Sequence, residues 1–172
     1  MLIDSLIALI RRDLQALTRE VEAYPADADL WRTLPGLPNS GGALVRHICG
    51  NLRHFLGAQL GGTGYVRDRE HEFGGAPTTK AALVAELAAT EQDCTAALAG
   101  LDPAQLEAPF PQALLGHRFA TGDFAVHLAV HLAFHLGQVD YHRRAVTGDR
   151  KSVAPMSLPA LASARPVGEP PR

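Results

Sequence analysis

The stretch that decides the fold class is Phe124-Ala-Val-His127-Leu-Ala-Val-His131-Leu-Ala-Phe-His135-Leu-Gly-Gln138. It carries no formal charge, and apart from its histidines and glutamine it consists of apolar residues and one glycine. This composition predicts a helix that is buried over much of its surface. Histidines at four-residue intervals lie on one stripe of such a helix, about 6 Å apart along the axis at each step.

Three other segments show helical periodicity, with apolar residues recurring at three- and four-residue intervals. The four predicted helices cover about residues 2–24, 40–59, 78–100 and 121–146. Ser40 is a suitable N-cap for the second helix, and a proline or glycine ends each of the four. Residues 103–120 are expected to contain at most a short irregular hairpin, because strand patterns are weak throughout. We therefore predict an all-α fold, a four-helix bundle over residues 1–150.

The connections between the predicted helices are longer than a simple up-and-down bundle needs. They span residues 25–39, 61–77 and 102–120. We therefore expect long crossover connections, with at least one of these segments crossing the length of the bundle. Residues 151–172 are rich in proline and alanine and are expected to form an extended or disordered tail.

The overall composition argues against several classes of protein. The 172 residues include 16 basic and 18 acidic side chains and only 6% aromatic residues, so a nucleic-acid-binding surface is not expected. Cys49 and Cys94 are too few and too far apart for a disulfide framework. The first residues lack the pattern of a signal peptide, and no apolar stretch is long enough for a membrane span. We expect a cytoplasmic protein that binds neither nucleic acid nor a membrane.

The row of histidines points to a metal ion. Neighbouring members of the row can share one ion, because each ligating nitrogen must lie roughly 2.0–2.1 Å from it. The outer two lie about 12 Å apart along the axis, so either possible pair includes His131. A third ligand must come from another helix, and the second predicted helix offers His47, with Asn51 and His54 on the same face. Cys49 points roughly 200° away from His47 and is a poor candidate.

A structural role for the histidines is the alternative. A single histidine on an apolar face is usually a core residue with a satisfied hydrogen bond, and His54, His71, His117 and His142 fit that description or that of surface residues. Three imidazoles buried without polar partners would cost about 1–3 kcal/mol each. The spacing therefore favours metal binding, although the same helix could instead be a buried or dimer-forming element.

Four sequence motifs are similar to those of a known family. His47 is followed by Gly50-Asn51-Leu52-Arg53, by Leu60-Gly61-Gly62 and by Arg67-Asp68-Arg69-Glu70-His71-Glu72-Phe73. Together with His131-x-x-x-His135-x-Gly137-Gln138, these motifs resemble the DinB-like family over about the first 147 residues. DinB-like proteins are four-helix bundles related to the bacillithiol- and mycothiol-dependent transferases.

The resemblance implies a specific ligand set. The family's metal-binding triad falls on His47, His131 and His135, and a homodimer is implied as well. His127 matches a position that is often histidine in relatives, but it is not assigned as a primary ligand.

A divalent ion held by three neutral imidazoles retains its charge. It lowers the pKa of a bound water to roughly 7 and favours deprotonation of a bound thiol. Two reactions follow, hydrolysis through a metal-bound hydroxide and attack of a low-molecular-weight thiol on an electrophilic small molecule. The resemblance favours the second reaction, S-transfer. Zinc, nickel and ferrous iron all suit three imidazoles. A non-catalytic metal-binding or dimerising bundle is the remaining alternative.

Other polar residues near the predicted ligands have two interpretations each. Asn51, one turn beyond His47, is expected either to assist at the metal by hydrogen bonding or to be an exposed helix residue. Gln138 lies on the histidine stripe or caps a neighbouring helix. The charged linker residues are expected to be solvated, with a flap over the site as the alternative; they are Arg67, Arg69, Glu70 and Glu72.

Overall fold

The computed structural model describes residues 1–167, which form five α-helices and no β-strand. The helices are α1 (Leu2–Glu22), α2 (Gly41–Leu52), α3 (Arg69–Gly74), α4 (Lys80–Ala99) and α5 (Thr121–Thr147). A π-helical turn, Arg53–Ala58, continues α2, and three short 3₁₀ turns occur at Asp27–Trp31, Pro103–Leu106 and Leu158–Ala160. The predicted all-α fold is confirmed. No helix within residues 1–167 is both long and apolar enough to cross a membrane.

Capping residues set the ends of the long helices. The Ser40 hydroxyl accepts a hydrogen bond from the Ala43 N–H at 3.3 Å, and Thr79 does the same for the Ala82 N–H at 3.2 Å. Gly148 ends α5 with a φ of 71°, a left-handed conformation that glycine adopts without steric cost. Three of the predicted helices therefore begin or end at the residues that the sequence indicates.

The four long helices pack around one apolar core. Both α1 and α2 contact α4 and α5. Lys80, at the start of α4, donates a hydrogen bond to the carbonyl of Tyr24, just beyond the end of α1, so these two helices are antiparallel. Arg53 and Asp93 form an ion pair near the ends of α2 and α4, so these two helices are parallel. The core contains side chains from all four, including Ile10, Leu17, Leu52, Leu87 and Leu132.

Because α2 and α4 are parallel, the chain between them crosses the length of the bundle. This crossover connection, residues 59–79, includes α3, which packs on α2. The predicted crossover is therefore confirmed, and it places a charged linker segment beside the middle of α2. The linker before α5 forms the expected irregular hairpin, with backbone hydrogen bonds between Phe110 and Phe119 and between Leu114 and His117.

The segment that follows α5 lies against α1. Arg19 donates a hydrogen bond to the carbonyl of Val153 at 3.1 Å, and Arg143 donates one to the carbonyl of Lys151 at 2.8 Å. Arg143 is fully buried and also pairs with Glu20 of α1. The part of the predicted tail at residues 168–172 lies outside the described residues.

A buried hydrogen-bond network joins α5 to the segment between α1 and α2. The Nε2–H of His142 donates to the carbonyl of Arg32 at 2.8 Å, so its Nδ1 accepts from the Tyr24 hydroxyl at 2.7 Å. Burial lowers the pKa of His142, which keeps the ring neutral as this network requires. A Cβ at Gly41 would overlap the Tyr24 hydroxyl, so glycine allows this close approach. His142 is thus a core histidine with satisfied hydrogen bonds.

Candidate metal centre

Three histidines from two helices meet beside the middle of the bundle. His131 and His135 lie one turn apart on α5 and face His47 on α2. One nitrogen from each ring lies within 4.8 Å of the other two. Within residues 1–167, this is the only group of three or more histidine, cysteine or carboxylate side chains so arranged. We call it the histidine triad.

The rings of the triad are almost perpendicular to one another, with interplanar angles of 82°, 83° and 89°. The Nε2 atoms of His131 and His135 are 3.0 Å apart. Nitrogen ligands at 2.0–2.1 Å from a tetrahedral ion are separated by about 3.3 Å, so this spacing is close to what a shared ion requires. The triad is buried on the α2 side and half-buried on the α5 side.

The protonation state of the triad also suits a metal ion. Burial, followed by the positive charge that His135 and His47 can carry, lowers the pKa of His131 to about 4. Burial lowers the pKa of His135 as well. Both rings are therefore neutral near pH 7, which is the form of imidazole that binds metals. The donor set fits a divalent ion.

A buried carboxylate orients His47. The Nδ1 atom of His47 donates a hydrogen bond to Oε2 of Glu72 at 2.9 Å, which leaves the Nε2 lone pair free to bind a metal. Glu72 is only 4% exposed and His47 only 6%. The ring of Phe73 lies against His47 with a centroid distance of 5.0 Å. The short helix α3 thus covers His47 and fixes its tautomer.

Arg67 supplies the counter-ion for this carboxylate. Its Nε donates to Oε1 of Glu72 at 2.6 Å and its Nη2 donates to Oε2 at 2.9 Å, a two-pronged ion pair. Burial alone raises the pKa of Glu72, but the hydrogen bonds from Arg67 and His47 outweigh it, and the pKa is lowered overall. Glu72 is therefore ionised at neutral pH and can accept the proton of His47 Nδ1 in a strong hydrogen bond.

A glycine near the end of α2, just before the π-helical turn that continues it, makes room for Glu72. A Cβ at position 50 would overlap the carboxylate of Glu72, although glycine in a helix interior is otherwise unfavourable. The prediction that Arg67 and Glu72 are solvated loop residues is therefore wrong, because the crossover connection packs them onto α2. Arg69 and Glu70 are exposed, as expected. The glycine at position 50 is the sequence signal that could have indicated a close neighbour here.

The second histidine of α5 is oriented from its own helix. Nδ1 of His135 donates to Oε1 of Gln138 at 2.7 Å, so its Nε2 faces the triad. Gln138 therefore orients a histidine of its own helix and does not cap a neighbouring helix. His127 is exposed and lies outside the triad, with its ring stacked on His131 at a centroid distance of 6.1 Å.

The other candidate residues of α2 and its π-helical turn lie in three different environments. Asn51 is only 8% exposed, which overturns the exposed-residue alternative, and its Oδ1 has no hydrogen-bond partner among the described residues. Its part in catalysis remains a prediction. His54 contacts Oε1 of Gln112 at 3.2 Å and does not join the triad. Cys49 belongs to the core, where burial raises the pKa of its thiol to about 12.

Comparison with known proteins gives one family. The model of the DinB superfamily matches residues 7–139, a span that includes the whole histidine triad together with Arg67, Glu72 and Gln138. The chain has no significant match among curated proteins or among solved structures.

Proposed function

The chain belongs to the DinB superfamily, and from this membership and the histidine triad we propose that it is a metal-dependent enzyme that transfers a low-molecular-weight thiol to an electrophilic small molecule. The observation that carries the proposal is the convergence of His47, His131 and His135, whose nitrogens lie within 4.8 Å of one another. Zinc, nickel and ferrous iron are the ions that this donor set suits. When bound, such an ion supplies Lewis acidity that lowers the pKa of a thiol or water beside it.

The protein's own groups prepare the triad for this role. Glu72 and Gln138 accept hydrogen bonds from the Nδ1–H groups of His47 and His135, so the Nε2 atoms of both rings carry free lone pairs. In the reaction the thiol sulfur forms a bond to the electrophilic carbon, the leaving group departs with the bonding electron pair, and the thiol proton passes to solvent. His47, His131 and His135 would hold the ion through three protein ligands, and a site with three protein ligands and no fourth is typical of catalytic rather than structural metal centres.

Thiol transfer is favoured over hydrolysis by two considerations. The sequence motifs resemble those of relatives of the bacillithiol- and mycothiol-dependent transferases. In addition, an apolar cavity is lined by Phe119, Phe124 and His127, and the ring of His127 stacks on His131 at 6.1 Å. This cavity suits an apolar electrophile better than a polar hydrolase substrate. Hydrolysis by the same site is the alternative outcome of the test.

The test is an assay of the purified chain loaded with zinc, nickel or ferrous iron. Bacillithiol, mycothiol or cysteine is incubated with 1-chloro-2,4-dinitrobenzene, and the thioether product is followed by absorbance and mass spectrometry. We expect product formation above the uncatalysed rate, lost in His131→Ala and retained in Glu70→Ala, which alters an exposed side chain outside the triad and the cavity. Hydrolysis of p-nitrophenyl acetate without thiol, with no thioether formed, would instead support the hydrolase. No activity in either assay with stoichiometric metal bound would favour the non-catalytic bundle.

We further propose that the chain forms a homodimer through the solvent face of α5. This face carries four apolar side chains that are each more than 40% exposed, namely Val126, Val130, Phe134 and Tyr141. Contiguous exposed apolar surface is typical of protein interfaces. In sedimentation velocity we expect the wild type to have twice the mass of one chain and Val130→Asp to be monomeric. A wild type that is still monomeric near 100 μM would contradict the proposal, because its free energy of association would then be weaker than about −5.5 kcal/mol.

A further inference from the structure

An apolar cavity of about 360 Å³ lies at the start of α5. Its walls come from the hairpin before α5 and from the first turns of that helix, and they include Leu114, Leu115, Phe119, Phe124 and His127. One further histidine and one aspartate complete the lining. The volume is at the lower end of the range for small-molecule sites, which are mostly apolar with a few polar groups.

A column of stacked rings leads from this cavity to the histidine triad. Phe119 stacks on Phe124 at a centroid distance of 5.5 Å and an interplanar angle of 16°. Phe124 stacks on His127 at 5.8 Å and 10°, and His127 stacks on His131 at 6.1 Å and 19°. His127 therefore lines the cavity and also stacks on His131, a member of the triad, so one ring separates a group that lies against His127 from His131.

Leu115 lies at the rim of the cavity, with an exposed side chain and a left-handed backbone conformation. Its side chain is 98% exposed and its φ is 49°, a left-handed conformation that is unfavourable for leucine. A large apolar side chain in this position becomes buried only when an apolar group covers the cavity. The rim thus offers apolar surface to a ligand in addition to the aromatic walls.

We infer that this cavity binds the apolar, aromatic part of the electrophilic substrate, an inference that rests on the proposed thiol transfer at the histidine triad. Aromatic ligands match walls made of phenylalanine and histidine rings, because offset stacking adds to the burial of apolar area. The ring of His127 lies between such a ligand and His131 of the triad. A second apolar cavity, of about 280 Å³ and lined by Leu37, Leu44 and Tyr141, lies further along α5 and serves as the internal control.

The test uses benzyl alcohol as the probe, since it is a neutral aromatic molecule that does not compete strongly for metal ions. Its binding to the zinc-loaded and the cobalt-loaded protein is followed by NMR. We expect saturable binding, with probe protons relaxed faster by paramagnetic Co²⁺ than in the zinc-loaded protein. Leu115→Asn is expected to raise the dissociation constant of the probe about fivefold or more, by removing apolar contact. Asparagine tolerates the left-handed conformation, so this variant is expected to fold.

Leu37→Asn, which alters the control cavity, is expected to leave the dissociation constant unchanged. Binding that is weakened by Leu37→Asn but not by Leu115→Asn, or no binding at all because a second copy of the chain covers the cavity, would overturn the inference while leaving metal uptake intact. Binding at the cavity without paramagnetic relaxation would also overturn it, because the probe would lie too far from the metal. Failure of the protein to take up zinc or cobalt would overturn the proposed function itself.

Discussion

Replacing His131 with alanine is expected to reduce the metal content of the purified protein from near one ion per chain to near zero. His131 is one of the three histidines of the triad, the proposed ligand set, and its Nε2 lies 3.0 Å from that of His135. Loss of one of three imidazoles leaves two ligands on different helices, which is too few for a stable site. The measurement is inductively coupled plasma mass spectrometry on tag-free protein, because a histidine tag binds the same ions.

His127→Ala is the matched control for this experiment. His127 lies one turn before His131 on the same helix and also carries an imidazole, but it is exposed and outside the triad. We expect this variant to keep the wild-type metal content. Full metal content in His131→Ala would place the ligands elsewhere. A wild type that stays empty after incubation with zinc, nickel and ferrous ions would leave the histidines with a structural role, and thiol transfer would lose its mechanism.

The triad could be predicted from the sequence because helical geometry is nearly rigid. Four-residue spacing places each neighbouring pair of histidines on α5 within reach of one ion, and the family resemblance then favours His135 over His127 as the partner of His131. The same helical geometry turns Cys49 away from His47. The choice of His47 as the third ligand depended on the family resemblance, since spacing left His54 and Asn51 on the same face. The structure separates His54 from His47, because His54 lies in the π-helical turn after α2 and contacts Gln112.

The surroundings of the triad could not be predicted in the same way. Arg67 and Glu72 reach His47 only because the crossover connection passes α2 at that level, and the path of a linker is a tertiary property that local pattern does not encode. The helix α3 has six residues, too few for a recognisable periodicity. Gln138 was placed on the correct stripe, but only the side-chain geometry shows that it orients His135.

Replacing Glu72 with alanine is expected to lower the affinity for zinc about 10- to 100-fold, even though Glu72 is not itself a member of the triad. Without its carboxylate, the Nδ1 proton of His47 loses its acceptor, and the ring is free to rotate or to change tautomer. Affinity is measured by competition with a chromophoric chelator. Glu70→Ala is the matched control, because Glu70 is an exposed carboxylate on the same short helix, and we expect it to bind zinc as the wild type does.

A second variant separates orientation of His47 from simple loss of stability. Glu72→Ala leaves the half-buried Arg67 guanidinium without its counter-ion. The free energy of unfolding of the metal-free protein is therefore expected to fall, by no more than about 5 kcal/mol. Removing both charges in the Arg67→Ala/Glu72→Ala double variant is expected to restore part of that stability, as measured by urea unfolding. Zinc affinity is expected to stay low in the double variant, because His47 still lacks its acceptor. Recovery of affinity together with stability would instead show that Glu72 acts only as part of a structural ion pair.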